Sequence, residues 1–160
     1  MTDQTTTLSH RALRVRLAEL GWELPDILKT VAAYVPAVRV GNTVYTSGQL
    51  PLREGKMSAV GKVGSDVSVE TAAGLARTCV LNALAAAGAL GDLDQARILK
   101  VTGFVASAAG FNGQPAVVNG ASELLLELFG ARGEHARSAV GVAELPMDAP
   151  VEVEIIVEFP

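Results

Sequence analysis

Apolar residues recur every three or four positions in three stretches of the chain, and every second position in several others. The first helical stretch runs from residue 10 to residue 20 and puts Leu13, Leu17 and Leu20 on one stripe. Ser9 is placed to cap it and Gly21 to end it. The clearest helix opens at Ser68, where Val69, Ala72, Ala73, Ala76, Cys79, Val80, Ala83 and Ala87 share a face. Glu70 sits in its first turn, where the helix dipole favours a carboxylate, and Gly88 ends it. A third helix over 115–129 turns Val117, Val118, Ala121, Leu124, Leu125 and Leu128 inward, with Gly130 closing it. Period-two patterns predict strands at 38–40, 43–47, 98–107, 138–143 and 151–159. The first two strands meet at Gly41-Asn42, a pair that favours positive φ and a tight hairpin. Residues 53–65 and 108–114 read as glycine-containing loops. The order helix, β, β, α, β, α, β, β predicts an α+β fold, with helices packed on one face of a single sheet.

Composition narrows the class. The chain has 160 residues, enough for one domain with a sizeable core. Hydrophobic residues make up 49% and charged ones 19%, a globular balance. Residues 1–8 are polar and read as a disordered tail, and 9–30 as the first helix and a linker through Pro25. The single cysteine, Cys79, cannot form an internal disulfide, and on its alanine-rich helix it reads as a buried thiol. No apolar run is long enough for a membrane span and the start is polar, so a cytoplasmic protein is expected. The net charge of −4 argues against a phosphate-binding surface for nucleic acid. Aromatics are only 4% while Ala, Gly and Val abound, which fits a chain that buries part of its surface against copies of itself.

Most familiar chemistry is missing. There is no P-loop and no dinucleotide fingerprint. His10 and His135 are not at metal-ligand spacing, so no metal site is expected. Ser47 lies in Thr-Ser-Gly-Gln, which is not a nucleophile elbow. The C-terminal strands are more informative. Val151, Val153, Ile155 and Val157 alternate with Glu152, Glu154, Ile156 and Glu158, the pattern of a half-buried strand with an acidic face. On the strand before it, Arg137 shares a face with the small residues Ala139 and Gly141. That leaves a hollow where a planar carboxylate could meet the guanidinium bidentately. A surface ion pair of Arg137 with Glu134 or Glu158 is the alternative.

The run His135-Ala136-Arg137-Ser138-Ala139-Val140-Gly141-Val142-Ala143-Glu144-Leu145-Pro146, followed by Val151-Glu152-Val153-Glu154, resembles the C-terminal signature of the Rid family. This family is also called YjgF-like and carries the older label endoribonuclease L-PSP. Tyr34 to Asn42 and Tyr45-Thr46-Ser47-Gly48-Gln49-Leu50-Pro51 resemble its N-terminal signature, and Val118-Asn119 a third element. The likeness covers about residues 31–158, with 31–160 read as the YjgF-like domain. It implies a chorismate-mutase-like fold in a homotrimer with three clefts between subunits. It implies hydrolysis of reactive 2-imino acids and their enamine tautomers to 2-keto acids and ammonia, without a cofactor. Arg137 would then hold the substrate carboxylate and Glu152 the attacking water. Tyr34 would line the pocket and donate a hydrogen bond. Ser47 and Gly48 would supply backbone contacts near the imine, and Asn119 would support the wall.

The sequence departs from the usual pattern at Ala139, where many relatives have cysteine, and at Gly141, often polar or charged in relatives. Both changes enlarge the expected pocket. The helix at 9–20 is an addition to the usual core and, with the long 106–116 loop, points to a longer subgroup. A non-catalytic protein that binds small carboxylates in the same clefts is the alternative function, and a ribonuclease fits less well. Geometry adds an expectation of its own. If the last two strands form a hairpin around 145–150, Glu152 lies opposite roughly Ala143, and Arg137 is roughly 20 Å away. The two could then act together only if they came from neighbouring subunits of a cyclic oligomer.

Overall fold

The computed structural model describes residues 9–28 and 33–160. The expected tail at 1–8 and the end of the linker lie outside the described residues. The elements are α1 (Arg11–Glu19), β1 (Ala37–Val40), β2 (Thr43–Thr46), α2 (Val69–Gly88), β3 (Arg97–Ala106), α3 (Gln114–Phe129), β4 (Ala136–Val142) and β5 (Val151–Glu158). They follow the expected order and build one mixed five-stranded sheet, ordered β1-β2-β5-β3-β4.

The local signals act as anticipated at α2, β1 and β2. Ser68 is extended at φ −72° and its hydroxyl accepts the Thr71 N–H, capping α2. Gly41 turns at φ 59°, and Val40 pairs with Thr43 across the hairpin. α1 is capped differently. Ser9 plays no such part; the Asp94 carboxylate accepts the N–H groups of Ala12 and Leu13 at 3.0 and 2.9 Å. Leu13 and Leu17 are buried, and Leu20 packs on the core from its edge.

α2 and α3 pack on each other and on one face of the sheet. Their small residues make this possible. A Cβ at Gly120 of α3 would collide with the Ala73 carbonyl of α2, and one at Gly103 of β3 would run into Val118 of α3. Val101, Val105, Val151, Val153, Ile155 and Val157 are buried beneath the helices. The opposite face carries Val38, Tyr45 and Val140, all exposed, with Phe104, Ile156 and the strand glutamates half-buried among them. No helix among the described residues is long and apolar enough to cross a membrane.

The last two strands do not form a hairpin. β4 pairs in parallel with β3, and β5 pairs antiparallel with the other flank of β3. The cause is the β3–α3–β4 unit, since a helical crossover returns the chain in the same direction as before. Residues 143–150 then step across the end of β3. Its end bonds to both sides: Ala106, its last residue, donates its N–H to the Pro150 carbonyl and Ser107, just beyond it, donates to the Val142 carbonyl, each at 3.0 Å.

Candidate functional site

The singled-out residues fall into two groups, one on each side of β3. The first is built by α3 and β4. Arg137 pairs in register with Val101, a residue buried on the helix-covered face, so its side chain points toward α3. There Arg137 Nη1 donates to Asn119 Oδ1 at 2.7 Å and to Ser122 Oγ at 3.3 Å. Asn119 and Ser122 are three apart on α3 and therefore on one side of it. Among the described residues, Arg137 Nε and Nη2 make no hydrogen bond, so the edge that grips a carboxylate side-on stays open. Neither expected ion pair forms: Arg137 meets neither Glu134 nor Glu158. Ala139 is half-buried and packs on the core. The expected hollow is narrower at Gly141. A Cβ there would meet Gln114 Nε2 at 2.7 Å, an amide already held by Ser107 Oγ and the Phe111 carbonyl.

The second group gathers on β5 and the segment that follows β2. Gln49 and Val153 exchange backbone hydrogen bonds at 2.8 and 3.1 Å, which carries residues 47–49 along β5. Gly48 thereby meets Glu152, and any Cβ at Gly48 would collide with the Glu152 carboxylate. Ser47 ties the preceding segment down, donating its N–H to the Pro36 carbonyl and its hydroxyl to the Val35 carbonyl. Tyr34, the next residue back, is exposed. Burial raises the Glu152 carboxyl above the usual carboxylate value, and the charge of Glu154 raises it further. Cys79 of α2 is fully buried behind this strand. Desolvation, and then the charge of Glu152, push its thiol well up, which leaves it a packing residue.

The two groups do not meet within one chain. Glu152 pairs with Phe104 and Arg137 with Val101, so the two side chains emerge on opposite faces of the sheet. Standard strand spacings put their Cα atoms roughly 14 Å apart. The two stand apart within one chain as expected, but by less than the roughly 20 Å of a hairpin and for another reason: β3 lies between them.

Sequence reasoning missed two residues of the first group. Ser122 accepts from Arg137, and its Oγ lies 2.9 Å from His135 Nε2. His135 Nδ1 lies 2.6 Å from the Gly133 carbonyl. The available signal was spacing, with Ser122 one helical step from Asn119 and His135 two residues ahead of Arg137.

Comparison with known proteins identifies the family. Residues 24–159 match the family described as endoribonuclease L-PSP, leaving α1 outside the match. Protein TCP17 of Trypanosoma cruzi is 41% identical over 89% of this chain and 91% of its own. The 2-iminobutanoate/2-iminopropanoate deaminase of Escherichia coli is 35% identical over 79% of this chain and 87% of its own. The crystal structure of Atu1372 from Agrobacterium tumefaciens superposes with a TM-score of 0.88 at 45% identity, covering 94% of each chain. The chain belongs to the endoribonuclease L-PSP family, the Rid or YjgF-like family whose signatures its motifs resemble.

Proposed function

We propose that the protein is a hydrolytic deaminase of 2-imino acids and their enamine tautomers, acting in clefts between the subunits of a cytoplasmic homotrimer. The observation that carries this reading is the split site. A carboxylate-binding edge on Arg137 and a half-buried carboxyl on Glu152 face opposite sides of one sheet. A ring of subunits joined by one repeated interface sets the first group of one chain against the second group of its neighbour. The exposed Val38, Tyr45 and Val140 on the helix-free face supply apolar surface for such an interface. The deaminase names of relatives such as the E. coli protein support the chemistry.

In this reading Arg137 takes the substrate carboxylate through Nε and Nη2, while Asn119 holds Nη1. Tyr34 donates a hydrogen bond from the cleft wall, and the backbone at Ser47 and Gly48 borders the imine. Glu152 holds the water. Water adds to the imine carbon, Glu152 accepts a proton from it and returns one to the nitrogen, and the carbinolamine releases ammonia and the keto acid. A carboxyl whose affinity for protons is raised suits this exchange. The imine is already electrophilic, so orientation and a placed water suffice and no cofactor is required. The ribonuclease in the family label finds little support, with a net charge of −4 and histidines that stand apart, His10 against Leu93 and His135 against Ser122.

The test is a coupled assay in which an amino-acid oxidase generates 2-imino acids and semicarbazide traps those that survive. The protein should lower trapping, and Glu152→Ala should not. Saturable binding of 2-keto acids with no effect on trapping, across small and bulky side chains, would replace the enzyme with a carboxylate-binding protein.

A further inference from the structure

We infer that Ser122 and His135 are positioning residues that hold the Arg137 guanidinium in the orientation its carboxylate ligand needs. The inference rests on Arg137 being the carboxylate anchor. The Gly133 carbonyl can only accept, so His135 Nδ1, 2.6 Å away, carries the ring proton. Nε2 is then bare in the neutral ring, and the Ser122 hydroxyl donates to it across 2.9 Å. With its hydrogen so committed, Ser122 Oγ offers a lone pair to Arg137 Nη1. In the neutral ring the donations then run in one sense, from the guanidinium through Ser122 and His135 to the Gly133 carbonyl.

The far end of this series of hydrogen bonds is closely packed. Gly133 is buried in the turn after α3, where a Cβ would collide with the Leu125 carbonyl. Ser122 is itself buried on α3. With Asn119 taking the same nitrogen, both protons of Nη1 are used. The guanidinium cannot turn about its bonds without breaking one of these contacts, and Nε and Nη2 stay together on the edge left for a ligand. Placing the anchor in advance removes an ordering cost from binding. The carboxylate contact is made alike in the ground and transition states, so weakening it appears in KM more than in kcat.

Two measurements test this. In steady-state kinetics with oxidase-generated 2-imino acids, Ser122→Ala and His135→Phe should each raise KM roughly tenfold with kcat within about twofold of the parent. Ser122→Thr, which keeps the hydroxyl, should restore KM. In 15N NMR of the imidazole, His135 should show a protonated Nδ1 and a bare Nε2. That readout is independent of turnover and is decisive even if a variant fails to fold. A protonated Nε2 with a bare Nδ1 would overturn the inference. So would parental KM in both variants of an enzyme that Arg137→Ala inactivates, an outcome that leaves the deaminase reading intact. If the parent protein turns over no imino acid, the deaminase reading fails, and calorimetry with 2-oxobutanoate decides the inference. Tenfold weaker binding in Ser122→Ala and His135→Phe would support it, whereas unchanged affinity, or no binding by the parent protein, would overturn it.

Discussion

The two groups flanking β3 handle opposite charges by opposite means. On the α3 and β4 side, Arg137 sits on an edge strand and is held by neutral hydrogen-bond partners, Asn119 and Ser122. On the β5 side, no side chain among the described residues donates a hydrogen bond to Glu152. Its carboxylate is placed by burial and by the missing Cβ of Gly48. The difference follows from the chemistry of each ion. An arginine keeps its charge in any surroundings, so the fold need only aim it. A carboxyl changes its proton affinity with burial, so the fold tunes as well as aims it.

The comparison can be broken most forcefully at its cationic half. Arg137→Ala should lower kcat/KM for 2-imino acids by about a hundredfold or more, the scale of a lost bidentate charge-assisted contact. Size-exclusion mass should stay at the parental value, and the melting temperature should fall only modestly, since the change removes two hydrogen bonds, to Asn119 and Ser122, from a half-buried side chain. The second change tests placement on the anionic side. Gly48→Ala drives a methyl group into the Glu152 carboxylate, which is the end of a flexible side chain. The fold should survive while the carboxylate shifts, and kcat should fall roughly tenfold, the scale expected for a misplaced catalytic group.

The smallest effect is one of stability and reports tuning alone. A carboxyl whose proton affinity rises on folding makes the folded chain bind the proton more tightly than the unfolded one. Stability then falls as pH rises from the ordinary carboxylate value through the raised one. Glu152→Gln removes that penalty. Its melting temperature should exceed the parent's above this window, and the gap should close by about pH 4, near the unfolded carboxylate value. Thermal melts across pH check the sign.

Much of the fold was legible because the signals are local. The Ala and Val stripe from Val69 to Ala87, the Ser68 cap and the Gly41 turn each lie within a few residues of what they determine. What escaped depends on distant partners. Asp94 caps α1 from 82 residues away, where Ser9 had seemed sufficient. The order of strands in the sheet leaves no mark on their alternation, so β4 and β5 read as a hairpin although β3 lies between them. In the site, the motif residues Arg137, Asn119, Gly48 and Glu152 were all named, and the structure brings them together as two pairs. Ser122 and His135 were passed over because a serine on a helix and a histidine before a strand gain meaning only when the fold aligns them. The hollow inferred from Ala139 and Gly141 is narrower than expected for a similar reason, since Gln114 approaches Gly141 from another element.

The central claim is that a working site takes Arg137 from one subunit and Glu152 from its neighbour. Subunit mixing tests it directly. Arg137→Ala and Glu152→Ala, each expected to be severely impaired alone, would be unfolded together in equal amounts, refolded and assayed for imino-acid hydrolysis. In a ring with random mixing, about one quarter of the sites receive an intact arginine from one variant and an intact glutamate from the other. The account therefore predicts recovery of about a quarter of parental activity. Activity no greater than the sum of the two separate variants would contradict it.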